Sequence, residues 1–495
     1  MSKYLLAHDL GTSGNKATLF STTGKLIGSS VHSYNTRYFN TTWVEQDAND
    51  WWKAVCESTK SLISETKIDA SDIISVSFSG QMMGCLCVDK NGVPLRPSMI
   101  WADSRAINQV KQIEAKISQW DYYKIVGHRN TASYGLHKLM WIKENEPEIY
   151  DRTYKTLNAK DYIVYKLTGN FYTDYSDANS CGFFDLEKLD WSQKLISFTG
   201  ISLDKLPEPK PSSFKAGSVS EAAAMQCGLA EGTPVIIGSG DGVASNVGAG
   251  SILPGKTYCC IGTSAWITTT SKKPLLDKKM QTVTWAHMIP GLYAPNGTMQ
   301  YAGGAYNWLR NEICKGTTYE IMNSEADTSC AGANGIVFLP YMLGERAPRW
   351  DADAKGCFLG ITPENTRSDI IRSVLEGVTL NLSLILDILR NNNLDISEIT
   401  VLGGGAKSQT WQKILADILL ANILVPNLLE EAASMGAAVN AGVGIGYYKD
   451  YTAIEDFITI RNRQSPNPDT KESYEKLKIK FENYYNALKP VFPLV

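Results

Sequence analysis

Histidine is scarce in this chain and paired cysteine is missing. Among 495 residues there are five histidines, and the ten cysteines, at positions 56, 85, 87, 181, 227, 259, 260, 314, 330 and 357, form no Cys-x-x-Cys pair. These counts exclude a zinc centre of the usual spacing and a disulfide framework; reduced cysteines used as small apolar residues are expected instead. Long apolar runs are missing as well. No stretch of about 18 apolar residues occurs, and Met1-Ser2-Lys3 leads directly into a strand pattern rather than a signal core, which predicts a cytoplasmic chain with no membrane partner. A block of one charge is the third absence: 48 basic and 51 acidic residues leave a net charge of −3, spread without clusters, so no nucleic-acid partner is expected. There is no Gly-x-x-x-x-Gly-Lys-Ser/Thr loop, and no strand opens into a Gly-x-Gly-x-x-Gly turn. Any nucleotide must be held by a different scaffold.

What is present begins at once. Tyr4-Leu5-Leu6-Ala7-His8-Asp9-Leu10 reads as a strand, Gly11-Thr12-Ser13-Gly14 as a turn, and Asn15 to Phe20 as a return strand. Gly11 and Gly14 permit close backbone approach, the turn amides and the Thr12 and Ser13 hydroxyls can donate to phosphate oxygens, and Asp9 is placed to hold a hydrated Mg²⁺ beside them. The same pattern read alone also fits an ordinary hairpin. A second copy, Thr257-Tyr258-Cys259-Cys260-Ile261-Gly262-Thr263-Ser264-Ala265-Trp266-Ile267-Thr268-Thr269-Thr270, occurs in the other half of the chain. Two related halves are implied, and two phosphate hairpins facing each other would clamp a nucleotide.

The length suits two domains of roughly 250 residues, with a hydrophobic content of 43% ample for both; the boundary is placed so that they span 1–250 and 251–495. After the first hairpin a third strand is expected over Leu26–Val31, then a helix from Asp47 to Thr66 with Asp47 and Asn49 as capping residues. The buried strand Ile73–Ser79 ends in Gly80-Gln81-Met82-Met83-Gly84, a turn at a strand's C-terminal end, where open α/β sheets put their ligands. Residues 101–199, rich in aromatics and helical patterns, predict an insertion around a substrate pocket. Pro207, Pro209 and Pro211 mark an extended connection. In the second half, Ile399–Leu402 runs into Gly403-Gly404-Gly405 and a helix over Gln409–Ala421. Three glycines leave bare backbone on which a flat adenine or ribose could lie, or else make a flexible loop. From Glu430 onward Ala432-Ala433-Ser434-Met435-Gly436-Ala437-Ala438 predicts a closely packed small-residue helix.

With these parts in order, the chain resembles the FGGY family of carbohydrate kinases over nearly its whole length. The family's C-terminal signature is matched by Gly356-Cys357-Phe358-Leu359-Gly360-Ile361 and, beyond residues 362–368, by Asp369-Ile370-Ile371-Arg372-Ser373-Val374-Leu375-Glu376. Its N-terminal signature is approximated by Ser133 to Asn145, with Gly135 where that pattern wants Pro, Ser or Thr. The resemblance implies an α/β fold of two ribonuclease-H-like domains of the actin/hexokinase superfamily, with ATP and Mg²⁺ between them and sugar on the N-terminal side. It implies a first phosphate loop of Gly11, Thr12, Ser13 and Lys16, a second of Gly262, Thr263 and Ser264, and nucleotide contacts at Gly303, Asn307, Gly405 and Ser408. Asp241, in Gly238-Ser239-Gly240-Asp241-Gly242, matches the family's catalytic base; without the motif, an Asp there also reads as a helix cap. Related kinases are often homodimers, so a homodimer is a possible state.

On the substrate side, Gln81-Met82-Met83-Gly84, Trp101 within Met99–Arg105, and Asn158-Ala159-Lys160-Asp161-Tyr162 look most like xylulose kinases, which usually carry His at the position of Met83. A thioether cannot donate a hydrogen bond, so one polar contact to a sugar is lost. Segments Ser239–Asn246 and Leu339–Pro348 are similar to those of gluconate kinases, and a sugar acid would call on Arg105 or Arg129 for its carboxylate. Trp101 reads equally as a stacking surface for sugar or as core. The expected reaction is phosphorylation of a terminal hydroxyl, D-xylulose first and gluconate second; an actin-like or chaperone-like ATPase is the alternative of another class.

Overall fold

A computed structural model describes residues 3–494 of the chain. Its first half is built on strands β1 (Tyr4–Leu10), β2 (Gly14–Ser21) and β3 (Leu26–Ser33), an antiparallel meander, with β4 (Ile73–Gly80) lying parallel to β1. Helix α1 (Ala48–Thr66) connects them. The Asp47 carboxylate accepts from the Asn49 amide as N-cap, so Asn49 is a donor here rather than a second cap; Trp51, Trp52, Val55 and Leu62 are buried. The insertion contributes α2 (Gly135–Asn145) and the short α4 (Tyr175–Ser180) around a core of its own that includes Tyr122, Phe183, Phe184 and Trp191, while α3 (Ala159–Thr168) buries Tyr162, Ile163 and Leu167 in the core shared with β1, β4 and α1. The chain returns through β5 (Lys215–Ser218), β6 (Pro234–Ile236) and β7 (Ser239–Gly240) into α5 (Asp241–Gly248). The sheet order is β5-β6-β4-β1-β2-β3, with β7 pairing β4.

The second half repeats the plan. Strands β8 (Thr257–Ile261) and β9 (Ala265–Thr269) form the second hairpin, and β10 (Val283–Ala286) and β11 (Tyr293–Met299) extend it; β12 (Glu398–Leu402) runs parallel to β8, followed by β13 (Asn422–Pro426) and β14 (Ile460–Gln464) in the order β10-β11-β9-β8-β12-β13-β14. Each sheet has a hairpin, a third antiparallel strand beside it, and two parallel strands on the far side of the first. That is the duplication implied by the two Gly-Thr-Ser turns. Helices α6 (Gly303–Trp308), α7 (Arg367–Asn391), α8 (Gln409–Leu419) and α9 (Ala432–Gly444) complete this half.

Helix α9 crosses back to the first sheet. Its Asn440 donates to Ser77 Oγ at 3.0 Å and to the Ser212 carbonyl at 2.8 Å, and Thr18 Oγ1 donates to Ser434 Oγ at 3.1 Å. Only small residues allow this approach: a Cβ at Gly436 would overlap the Ala244 carbonyl on α5, and one at Gly248 would overlap the Ala432 carbonyl on α9. A shared core of Leu5, Ala7 and Phe20 with Tyr258, Met435 and Phe457 joins the halves. No described helix is long and apolar enough to cross a membrane.

Candidate active site

Parallel strands end together at the cleft. The register aligns Asp9 with Ser79 across β1 and β4, and Ser239 with Ser79 across β7 and β4, so Asp9 and Asp241 emerge side by side from three strand ends. The cleft has a volume of about 1010 Å³, and both carboxylates line it, as do Gly11, Thr12, Met82, Met83, Trp101 and Ser264. Ser79 Oγ donates to Asp9 Oδ1 at 2.7 Å. Asp241 opens α5; its Oδ1 accepts the Gly242 amide at 2.7 Å, and among the described residues no group donates to Oδ2. Desolvation, and secondarily the negative charge of Asp9, push the Asp241 carboxyl up to about 7.

The first loop is held from behind. The Gly11 carbonyl accepts from Tyr34 Oη, and the Thr12 carbonyl from Gln46 Nε2 at 2.6 Å. The Trp101 indole N–H donates to Thr12 Oγ1 at 2.9 Å, with the ring 38% exposed. Trp101 is therefore a cleft-wall residue tied to the phosphate loop, not core. Ser13 and Lys16 stand outside the lining: Lys16 Nζ reaches the Glu430 carbonyl at 2.5 Å, linking β2 to the segment before α9. In the second loop, the carbonyls of Gly262 and Thr263 accept the amides of Gly303 and Ala302 at 2.9 and 2.7 Å. The segment around Gly303 thus docks on the second hairpin, and Gly303 admits no Cβ because one would strike the Gly262 carbonyl. Asn307, further along α6, is exposed and accepts from Tyr319 Oη at 2.8 Å.

The triple glycine divides its roles. Gly403, at φ 80°, borders the cleft, Gly404 faces open space, and Gly405 is glycine because a Cβ would lie 2.6 Å from Ile261 Cγ2. The backbone of Gly404 is exposed and those of Gly403 and Gly405 are half-exposed, with the side-chain face of Gly405 taken by Ile261. Ser408 Oγ accepts the Trp411 amide at 3.1 Å and so caps α8. Gln81 does not line the cleft. It is buried behind the wall, with Nε2 donating to Gln46 Oε1 at 2.8 Å.

Neither arginine proposed for a sugar acid is free. Arg105 is buried, bonded to Asp103 at 2.6 Å and Glu45 at 2.8 Å, with its guanidinium 3.7 Å from the Trp43 ring centre. Arg129 donates to the carbonyls of Met280 and Lys279 at 2.7 and 3.1 Å. The cation that does line the cleft is Arg346, whose Nε donates to Gln300 Oε1 at 2.5 Å. It lies within Leu339–Pro348, the segment already singled out. Thr131, Ser133 and Tyr134 also line the cleft; their place at the start of the approximate N-terminal signature, with Thr131 just ahead of it, was the available signal. Lys138, inside that signature, is fully buried and donates to the carbonyls of Met83 at 2.9 Å and Ile100 at 2.7 Å, bracing both substrate-side segments.

The donor set suits Mg²⁺ with its nucleotide. No group of three His, Cys, Asp or Glu side chains that could hold a metal occurs among the described residues. A cleft carboxylate such as Asp9, with one oxygen already fixed by Ser79, fits an ion that keeps its waters and takes its remaining ligands from phosphates.

Family models agree with this architecture. The N-terminal domain model of the FGGY family of carbohydrate kinases matches residues 4–248, and the C-terminal domain model matches residues 257–445. The chain belongs to the FGGY family of carbohydrate kinases. Among curated relatives, a xylulose kinase of Staphylococcus epidermidis is 33% identical over 491 residues, covering 99% of this chain and 98% of the relative. A gluconokinase of Bacillus subtilis is 30% identical over 504 residues, covering 99% and 96%. Among solved structures, gluconate kinase from Lactobacillus acidophilus superposes with a TM-score of 0.94 at 27% identity, covering 100% of this chain and 99% of that one. Xylulose kinase from Rhodospirillum rubrum superposes with a TM-score of 0.92, also at 27% identity, covering 99% and 100%. The two-domain actin/hexokinase-like fold and sugar phosphotransferase activity follow, and membership of this FGGY family decides against an actin-like or chaperone-like ATPase.

Proposed function

We propose that this FGGY kinase transfers the γ-phosphoryl group of ATP to a terminal hydroxyl of D-xylulose, giving D-xylulose 5-phosphate, with Asp241 as the catalytic base. The observation that carries this reading is the Asp241 carboxylate at the cleft, with one oxygen held by the Gly242 amide and the other unclaimed. Oδ2 takes the hydrogen of the substrate hydroxyl as the bond to phosphorus forms. A carboxyl poised near neutrality matches that task better than an ordinary one, since proton transfer is favoured when donor and acceptor affinities approach each other. The Gly242, Gly11 and Gly262 amides are taken by Asp241, Gly14 and Ser264, and the Thr12, Ser13, Thr263 and Ser264 amides of the two turns would supply partial positive charge to the phosphates. Mg²⁺ held at Asp9 would neutralise phosphate charge. Gly11, Thr12, Ser13, Lys16, Gly262 and Thr263 are assigned to the phosphates, and Gly303, Asn307, Gly405 and Ser408 to the adenosine side. In the structure Lys16 also bonds the Glu430 carbonyl and Ser408 caps α8; the remaining ammonium hydrogens of Lys16 and the hydroxyl hydrogen of Ser408 are left to donate to the nucleotide. Met82, Met83 and Trp101 form the sugar wall, and Gln81 supports it from behind.

Gluconate is the second reading, and Arg346 is the observation that favours it, since a guanidinium in the cleft suits a sugar carboxylate. The test is a coupled ADP-release assay with Mg-ATP against D-xylulose, L-xylulose, D-ribulose, gluconate, glycerol and erythritol, with Asp241→Asn as the blank. Turnover with D-xylulose and none in the blank is expected. Turnover with gluconate alone moves the assignment to the second reading, and a fully active Asp241→Asn removes the base.

A further inference from the structure

Beneath the cleft lies a charged cluster that the phosphoryl-transfer reading does not use. Lys160, on α3, is fully buried, with Nζ 2.7 Å from Asp161, 2.9 Å from Asp174 and 3.1 Å from Asp177, all themselves fully buried. Burying one ammonium among three carboxylates is costly, and apolar residues of similar size would hold a core at least as well. What the cluster organises is α4. Asp174 caps that helix, accepting the Ser176 amide at 3.0 Å, and it also accepts the hydroxyls of Ser176 at 2.6 Å and Ser212 at 2.9 Å.

A serine hydroxyl has one hydrogen to give. Ser176 spends it on Asp174, so its oxygen presents lone pairs to the other side, where the Gly240 amide donates to it at 2.9 Å. Gly240 is the residue before Asp241. The turn is trapped from the opposite face too, since a Cβ at Gly240 would lie 2.5 Å from Met82 Cγ. Ser180 repeats the device. Its hydrogen goes to the Asp177 carbonyl at 2.9 Å, and its oxygen accepts the Met83 amide at 3.0 Å. Positions 176 and 180 share one face of a helix. Met83 stands at φ 66°, a left-handed backbone that a non-glycine residue keeps only when its surroundings impose it. Both its backbone polar groups are held by side chains, the amide by Ser180 and the carbonyl by Lys138.

We propose that Ser176 and Ser180 are positioning residues, two prongs of one helix that fix the spacing between the sugar wall at Met83 and the carboxylate of Asp241, with Lys160 and Asp174 as the anchor that orients the first prong. The proposal rests on the assignment of Asp241 and Met83 to the reaction. It divides the labour: Ser176 acts on the chemical step through the Asp241 turn, and Ser180 acts on sugar binding through Met83.

The experiment is steady-state kinetics of Ser176→Ala and Ser180→Ala with Mg-ATP and D-xylulose, or gluconate if only that sugar is turned over, together with amide hydrogen exchange of the ligand-free proteins. Ser176→Ala should lower kcat by roughly tenfold to a hundredfold with the sugar KM within about twofold, because small misplacement of a reacting group costs that much. Ser180→Ala should do the reverse, raising the sugar KM about tenfold with kcat nearly kept. Asp174→Ala, which removes the acceptor of the Ser176 hydrogen, should follow Ser176→Ala, and Ser176→Cys, which keeps a weak acceptor, should fall between. Exchange should rise in the peptide holding Gly240 in the first variant and in the peptide holding Met83 in the second. Kinetic losses that fall on kcat and KM alike and track the drop in melting temperature would overturn the proposal, as would unchanged kinetics. If the wild type turns over none of the sugars, the proposed function fails, and the exchange pattern still decides the clamp: unchanged protection at Gly240 and Met83 sinks it.

Discussion

As the proposed base, Asp241 depends on its surroundings, and those surroundings make two measurable demands. As a base it must be ionised, and in the ligand-free enzyme its carboxyl is pushed up to about 7. The kcat/KM profile reports the free enzyme, so it should rise about tenfold per pH unit below neutrality and level off above about pH 7. A profile flat from pH 5 to 8 would contradict the assignment. The same shift has a cost in stability. A carboxyl raised in the folded state stabilises that state below its unfolded value of 3.8 and loses that contribution as pH rises through about 7. Asparagine mimics the protonated form. Ligand-free Asp241→Asn should therefore melt above the wild type at pH 8, and the gap should narrow at pH 5; thermal melts at the two pH values check it. Neighbouring residues show how far type alone can mislead. Arg105 and Arg129 had the right charge for a sugar acid, yet carboxylates and an indole ring claim one, and backbone carbonyls the other.

Helices α5 and α9 show the same division between what composition says and what contacts decide. Replacing a mid-helix glycine with alanine ordinarily stabilises a helix by roughly 1 kcal/mol. At Gly436 the sign should reverse, because the new Cβ would overlap the Ala244 carbonyl, and forced separation in a packed interior costs about 1–3 kcal/mol. Chemical denaturation of Gly436→Ala should read a net loss; a gain would mean that the two helices can part. The small-residue run of α9, the two Gly-Thr-Ser hairpins and the strand ends leading to Asp9 and Asp241 were legible in the sequence, because each is written in a short span of residue types. Where α9 packs was not legible, since nothing local says that a helix from the second half lies on the first sheet. The serines of α4 were hidden for the same reason: Ser176 meets Gly240 from far along the chain. The side to which Gln81 turns was not legible, because a turn residue can face either way and Gln46, on another segment, takes its amide. The triple glycine was read as a bare surface or a flexible loop; that Gly405 also needs to be glycine to pack on Ile261 could not be read locally.

At the scale of the whole molecule, the halves meet along α9 and the segments around it, which pack on α5 and the first sheet, and again across the cleft from there. There the insertion touches the strand β10 and the segment before it. Tyr123 Oη donates to the Thr282 carbonyl at 3.0 Å, the Thr284 amide to the Gly127 carbonyl at 2.8 Å, the Ala286 amide to Asn179 Oδ1 at 3.1 Å, and Arg129 to Met280 and Lys279. Such contacts make a seam joining the two halves on that side of the cleft, and if the proposed phosphoryl transfer is right this seam would help keep the cleft shut over the nucleotide. A kinase must keep water from the γ-phosphate, because water competes with the sugar hydroxyl for the same position. Arg129 bonds across the seam through two guanidinium nitrogens, with Trp350 under its plane at 4.9 Å. Arg129→Ala should therefore loosen the seam without touching Asp241. The expected outcome is ADP release exceeding sugar phosphate by roughly threefold or more, with melting temperature nearly unchanged, since a partly exposed contact contributes little to global stability. Arg129→Lys, which keeps one donor but not the planar fork, should give a smaller excess. The measurement is parallel quantitation of ADP and sugar phosphate in one reaction. A ratio that stays at one in Arg129→Ala would mean that the α5–α9 contact alone governs closure.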